Sequence, residues 1–161
     1  MIKLAFDTET SGLNPKVHKA LTVFMATLDD DDNVIDSLDL KVQPDDGVIP
    51  FEQGALDVNG IDLESHKVEA ITYSEAKLLI VEFFKKNSKK KRDLQPCGHN
   101  IDFDIDFMTS TIFDLDEWNK YVHYRKLDTT PLTSFLKEVG IMPDKVGNLS
   151  SLVDHFGSPL S

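Results

Sequence analysis

The sequence contains one cysteine, Cys97, one tryptophan, Trp118, and only 17 lysines and arginines against 28 aspartates and glutamates, a net charge of −11. The lone thiol excludes an internal disulfide, which fits a reducing compartment. The shortage of basic residues argues against a protein that grips nucleic acid by bulk charge, because such domains carry a basic face. It leaves room for a metal site that reverses the local field. Long apolar runs are missing as well. The densest, LLIV at 78–81, is far too short to span a bilayer, and the opening MIKLAFDTET has no stretch of signal-peptide length. The expectation is a soluble, cytoplasmic protein with no membrane contact. No repeat and no Pro/Gly/Ser linker divides the 161 residues, so one domain over 1–161 is expected. A chain of about 150 residues buries roughly 70% of its unfolded surface, enough for a core without metal or disulfide support.

Periodicity outlines the elements. Ile2, Leu4 and Phe6 alternate with Lys3, Ala5 and Asp7 in a first strand, and Leu21–Leu28 is apolar on both faces, as a central strand should be. Val34–Val42 follows the acidic turn Asp29–Asn33, which predicts a hairpin. Thr72 and Glu75 form a capping box ahead of Ala76, Leu79, Ile80, Phe83 and Phe84, a helix with one face on the sheet. A short strand near Leu94–Gly98 leads to a helix from about Phe103, with Ile101, Ile105, Met108 and Ile112 on one stripe. Tyr121–Leu127 reads as a fifth strand. Two helices follow: one capped by Thr130 with Pro131 in its first turn, Leu132, Phe135, Leu136 and Val139 on one face and its end at Gly140, the other between Asn148 and Gly157. Three strands and then αβαβαα suggest a mixed sheet flanked by helices, an α/β fold.

Two acidic constellations carry the chemistry. In FDTETSGL at 6–13, Asp7 and Glu9 lie on one face of a strand, their Cα atoms roughly 6.5 Å apart. Carboxylates so placed can share hard divalent cations such as Mg²⁺ or Mn²⁺, which remove the repulsion between them. Two solvated acids at a strand end give the same pattern. In GHNIDFDIDFM at 98–108, Asp102, Asp104 and Asp106 crowd a helix start, where the macrodipole favours negative charge. An EF-hand reading fails, since Phe107 stands where that loop needs Gly and Phe113 where it needs Glu. Asn100 is a candidate cap for this helix, and His99 could touch substrate or hold the strand end. The segment KKNSKKKR at 85–92 holds six of the 17 basic residues, leaving −17 on the other 153 positions. It could contact phosphates, or it is a solvated loop at a helix C-terminus. Core packing is the default for Trp118.

Together FDTETSGL and HNIDFDIDFM resemble the first two motifs of the DEDD, or DnaQ-like, 3′–5′ exonucleases, and ALDVNGID at 55–62 is similar to the segment these enzymes carry between them. The resemblance runs from residue 1 to about 157. It implies a ribonuclease H-like mixed five-stranded sheet flanked by helices, and it selects Asp104 among the three acids, leaving Asp102 and Asp106 as helix-end charges. It further implies two Mg²⁺ or Mn²⁺ ions roughly 4 Å apart, with Asp7 bridging both, Glu9 on the nucleophile-side ion and Asp104 on the other. Thr10, Gly12 and Leu13 would meet the terminal nucleotide, and His99 and Asn100 would shape the site. The implied substrate is a single-stranded DNA or RNA 3′ end, the product nucleoside 5′-monophosphates. A polymerase or another replication or repair protein is the implied partner.

The family's third motif, His or Tyr followed by Asp on a late helix, has a spacing match in VHYRKLDTT at 122–130, with His123 or Tyr124 and Asp128. Lying on an expected strand only 24 positions after Asp104, it reads instead as an Asp128 that supports the site from behind its ligands, like the Asp-Thr the family often has at the end of its fifth strand. NLSSLVDHFG at 148–157 resembles the helix before the third motif, and Ser158–Ser161 follow it. The expectation is a domain C-terminally incomplete relative to the family, without the last helix. The alternative to an active exonuclease is therefore a catalytically inactive module that binds nucleic acid or a partner protein. A third reading, a phosphatase with Asp7 as nucleophile, leaves HNIDFD unexplained.

Overall fold

The computed structural model describes residues 1–156. Three antiparallel strands open the chain: β1 (Ile2–Thr10), β2 (Ala20–Leu28) and β3 (Val34–Gln43). There follow α1 (Gln53–Asn59), α2 (Leu63–Glu69), β4 (Ile71–Thr72), α3 (Tyr73–Asn87), β5 (Leu94–Gly98), α4 (Ile101–Thr111), α5 (Leu115–Tyr121), β6 (Leu127–Asp128), α6 (Thr129–Glu138) and α7 (Leu149–Phe156). The six-stranded sheet runs β4-β3-β2-β1-β5-β6, with β5 and β6 parallel to β1. The expected mixed α/β sheet is present, with six strands instead of five because β4 adds a two-residue edge. No helix among the described residues is long and apolar enough to cross a membrane.

The sheet has one covered face. Leu4 and Phe6 of β1, and Val23 and Met25 of β2, meet Ile80, Phe83 and Phe84 of α3 and Met108 of α4 in the main core. Trp118 of α5 packs edge-on against Phe6 and Phe84, as the composition suggested for it. α3 begins on the expected capping box: the Glu75 main-chain N–H donates to Thr72, and the Thr72 N–H donates to the Glu75 carboxylate. A second, smaller cluster of Leu21, Ile49 and Leu56 lies under α1. The opposite face of β1 carries Lys3, Ala5, Asp7 and Glu9 and remains open. Phe24, across from Asp7 on β2, is 44% exposed there, so β2 is not buried on both sides.

Several expectations need correction. Tyr121–Leu127 is not a continuous strand: α5 runs to Tyr121, Val122 makes one isolated parallel bridge to Leu94, and Leu127–Asp128 pair with the end of β5. Trp118 anchors this extra helix turn in the core, overriding the β-branched and aromatic composition around it. α6 is capped by Asp128, not Thr130; the Asp128 carboxylate accepts from the Thr130 N–H at 2.8 Å. The apolar stripes of α6 and α7 do not enter the core. Leu132, Phe135 and Val139 are exposed on α6, and Leu149 and Phe156 on α7. The end expected for α7 at Gly157, and Ser158–Ser161, lie outside the described residues.

Candidate active site

β1 and the start of α4 build the site. Gly98 lets them meet closely: a Cβ there would stand 2.8 Å from Ile101 Cδ1, which would have to shift, and 3.4 Å from the Phe6 carbonyl oxygen, at the turn from β5 into α4 beside β1. The turn places Asp104 in the first turn of α4, buried, beside Thr8. Thr8 donates to Asp104 Oδ1 twice, from its main-chain nitrogen at 2.8 Å and from Oγ1 at 2.7 Å. Asp102 and Asp106 are exposed, and Asp102 pairs with Lys126. Of the three acids on this helix, the structure buries the one that the resemblance selected.

The electrostatics of the three candidate carboxyls share one sign. Burial pushes Asp104 up to about 6, with the Asp7 charge adding to the rise and the Thr8 donors opposing it. Asp7 reaches solvent at its tip, yet loss of water around it raises its carboxyl above the ordinary range, against one bond from Thr8. Glu9 is raised by burial first and by the Asp7 charge second. Among the described residues, none of the ion pairs includes Asp7, Glu9 or Asp104.

Three mutually repelling, partly dehydrated oxygen donors without a cationic neighbour fit a hard divalent cation in chemistry. Their side chains do not close around a point: among the described residues no three His, Cys, Asp or Glu groups converge as a metal cluster. Asp104 turns Oδ1 inward to the two Thr8 donors.

Next to Glu9 lies a cleft of about 470 Å³ lined by Thr8, Glu9, Thr10, Leu13, Glu52, Ala55, Val58, Asn59 and Phe103. Its outer wall is α1, a helix of seven residues, too short to hold itself. The end of β1 supports it at both ends. The Glu52 N–H donates to the Ser11 carbonyl at 2.7 Å, and Asn59 Nδ2 donates to the Thr10 carbonyl at 2.9 Å. Ser11, fully buried, adds its hydroxyl as donor to the Pro50 carbonyl and acceptor from the Lys19 N–H.

The expected substrate-contacting residues divide. Thr10 and Leu13 line the cleft, with Leu13 72% exposed. Gly12 does not face it: its missing side chain makes room for the His18 ring, whose atoms would stand 2.5 Å from a Cβ. His99 Nδ1 meets Thr129 Oγ1 at 2.8 Å and so ties the end of β5 to α6. Asn100 occupies the N-cap position of α4 with φ +58°, but its side chain does not cap the helix. The cap comes from Asp128, which accepts from the Asn100 and Ile101 main-chain nitrogens at 3.0 and 3.2 Å. Burial alone would raise the Asp128 carboxyl, yet these bonds and those from Thr130 hold it below the usual range. His123 lies at the other end of β5, its N–H donating to the Leu94 carbonyl at 2.7 Å, so the 122–130 segment does not bring His123 to Asp104.

Thr8, Glu52 and Val58 are parts of the site that the sequence motifs do not mark. Thr8 carries a readable signal, a donor-bearing residue between two acids, whereas Glu52 acts through a main-chain contact that leaves no pattern.

No family model matches the chain. It is 30% identical over 136 residues to the oligoribonuclease of Chromobacterium violaceum, an alignment covering 81% of this chain and 72% of that protein. It is 29% identical to the oligoribonuclease of Ralstonia nicotianae, spanning 60% of that relative's length. In structure it is similar to E. coli exonuclease I. The complex of that enzyme with a 5cy-dT13 oligonucleotide superposes with a TM-score of 0.79 at 17% identity, covering 99% of this chain and 37% of the other. The complex described as ExoI/SSB-Ct gives 0.75 at 18%, with the same coverage.

Proposed function

This chain belongs to the DEDD, or DnaQ-like, exonuclease family, and on that premise we propose that it is a metal-dependent 3′–5′ exonuclease releasing nucleoside 5′-monophosphates from single-stranded DNA or RNA. The observation that carries the reading is the trio Asp7, Glu9 and Asp104, raised together above the ordinary carboxyl range and free of ion-pair partners among the described residues. These three would hold one or two Mg²⁺ or Mn²⁺ ions. When bound, such an ion polarises a phosphoryl oxygen and lowers the pKa of a water. Thr8 fixes Asp104 through two bonds, and Leu13, Val58 and Phe103 offer apolar surface to the last base and sugar beside Glu9. The oligonucleotides and the SSB-Ct of the solved exonuclease I complexes support a single-stranded strand as substrate and a replication or repair protein as partner. A cytoplasmic setting is consistent with the free Cys97.

A second reading, an inactive binding module, is favoured by one observation: the 122–130 segment sets His123 beside Leu94, and Asp128 is spent on main-chain donors. Degradation of a labelled oligonucleotide with Mg²⁺ or Mn²⁺, paired with calorimetric Mn²⁺ titration, separates the two. Turnover lost in Asp7→Ala supports the enzyme. Turnover unchanged in Asp7→Ala overturns the proposed mechanism, and Mn²⁺ binding without turnover in the unaltered chain supports the module.

A further inference from the structure

The basic segment 85–92 is not a loose solvated loop. Asp93, 4% exposed, accepts from the Lys89 N–H at 3.0 Å and closes the turn on itself. Ser88 Oγ donates to the Phe84 carbonyl at 2.7 Å at the end of α3. Arg92 sits at φ +55°, an unfavourable region for a residue with a Cβ, and is held there by donation from its N–H to the Lys120 carbonyl and from Nε to the Asn119 carbonyl. Arg92 and Lys86 are thus engaged, Lys86 with Asp36. Lys89, Lys90 and Lys91 are exposed and belong to none of the ion pairs among the described residues.

The position of this turn follows from strand register. It leads directly into β5, whose Leu94 stands beside Ile2 at the start of β1. Asp7 lies five residues further along β1, about 17 Å away at roughly 3.3 Å per residue. The candidate carboxylates thus lie toward one end of β1 and the pre-ordered cationic turn toward the other, where Asp29 and Asp30 of the β2–β3 turn stand beside Lys89.

Resting on the exonuclease reading, we propose that Lys89, Lys90 and Lys91 form a second contact for the phosphate backbone of a single strand whose 3′ end lies at Glu9. Three adjacent point charges held on a fixed turn suit a sequence-independent polyanion, whose phosphates repeat along the strand, better than a folded acidic protein. Glu9 lies seven residues from Ile2, about 23 Å at roughly 3.3 Å per residue, and at about 3.4 Å per stacked nucleotide some seven nucleotides span it. Short oligonucleotides cannot reach the turn; longer ones gain affinity there.

The test is fluorescence anisotropy of labelled dinucleotide and 12-mer strands in EDTA, with hydrolysis of the dinucleotide in Mn²⁺ as a separate readout. In K89Q/K90Q/K91Q the 12-mer is expected to bind about tenfold more weakly, with its log–log salt slope reduced by about 2, near 0.7 per lost charge. Dinucleotide hydrolysis stays unchanged. The charge-matched control K41Q/K67Q/K145Q, all exposed lysines, keeps the 12-mer affinity. An equal loss in the control, or an unaltered 12-mer affinity and slope in the turn variant, overturns the inference while leaving the exonuclease reading intact. So does selective loss of poly-glutamate binding in the turn variant, which would assign the turn to an acidic protein. Absence of dinucleotide hydrolysis by the unaltered chain counts instead against the exonuclease reading.

Discussion

The two ends of the central strand treat acids differently. Near the start of β1, carboxylates are compensated: Lys3 pairs with Asp32, and Lys86 with Asp36, whose carboxyl also accepts from Asn87. Near its end, Asp7, Glu9 and Asp104 have no such partner among the described residues, and all three are driven above the ordinary range. Cations pair with carboxylates near the start of β1 and not around these three. Uncompensated, partly dehydrated charge beside a cleft is a cost to folding that a bound cation or a proton offsets.

The sharpest way to break this contrast is Asp104→Asn. The amide oxygen can still accept both Thr8 bonds, so the geometry survives while the charge is lost. Nuclease turnover is expected to fall about 10³-fold, the loss of several kcal/mol of transition-state stabilisation, measured on a labelled oligonucleotide. The same variant should be the more stable protein at pH 7.5.

That gain follows from the pH dependence of the unaltered chain. Asp104 titrates near 6 when folded and near its ordinary 3.8 when unfolded, so between these values the folded state binds the extra proton. Stability in chelator is therefore expected to fall as pH rises from about 4 to 6 and to level off above, by up to about 3 kcal/mol. Urea denaturation across this window checks the sign. Asp104→Asn should flatten most of the slope, and a rise in stability with pH over the window would contradict a buried, uncompensated Asp104.

Gly12→Ala tests the support of the cleft instead of its charge. The added methyl would meet the His18 ring at 2.5 Å, and that ring is engaged by the Asn14 N–H and by Glu52. A loss of about 1–3 kcal/mol is expected by thermal or denaturant unfolding, the usual result of overpacking. At the compensated extreme, Lys41→Ala removes an exposed pair with Glu69 and should change stability by less than about 0.5 kcal/mol in the same assay.

What could be read from the sequence was whatever a local pattern encodes. Strand alternation placed Asp7 and Glu9 together, the Thr72–Glu75 box started α3, and Leu94–Gly98 emerged with its own limits. The parts not legible depend on contacts between distant segments. Asp128 caps α4 from 28 residues away, which no reading of Asn100 in its own context could reveal. α5 exists because Trp118 reaches Phe6 and Phe84, and its neighbours 121–127 alone look like a strand. The stripes of α6 and α7 have the spacing of buried faces, and spacing does not say whether anything covers them.

The mounting of α1 has a consequence for how this protein can change. Its position is set by the main chain of Thr10 and Ser11 and its core contact by Leu56 alone, while Val58, 86% exposed, carries no packing duty. Substitution at 58 is thus nearly free of folding constraint, yet it alters the surface beside Glu9. Where the wall stands is inherited from β1; what it displays is open to drift, selection or redesign one residue at a time.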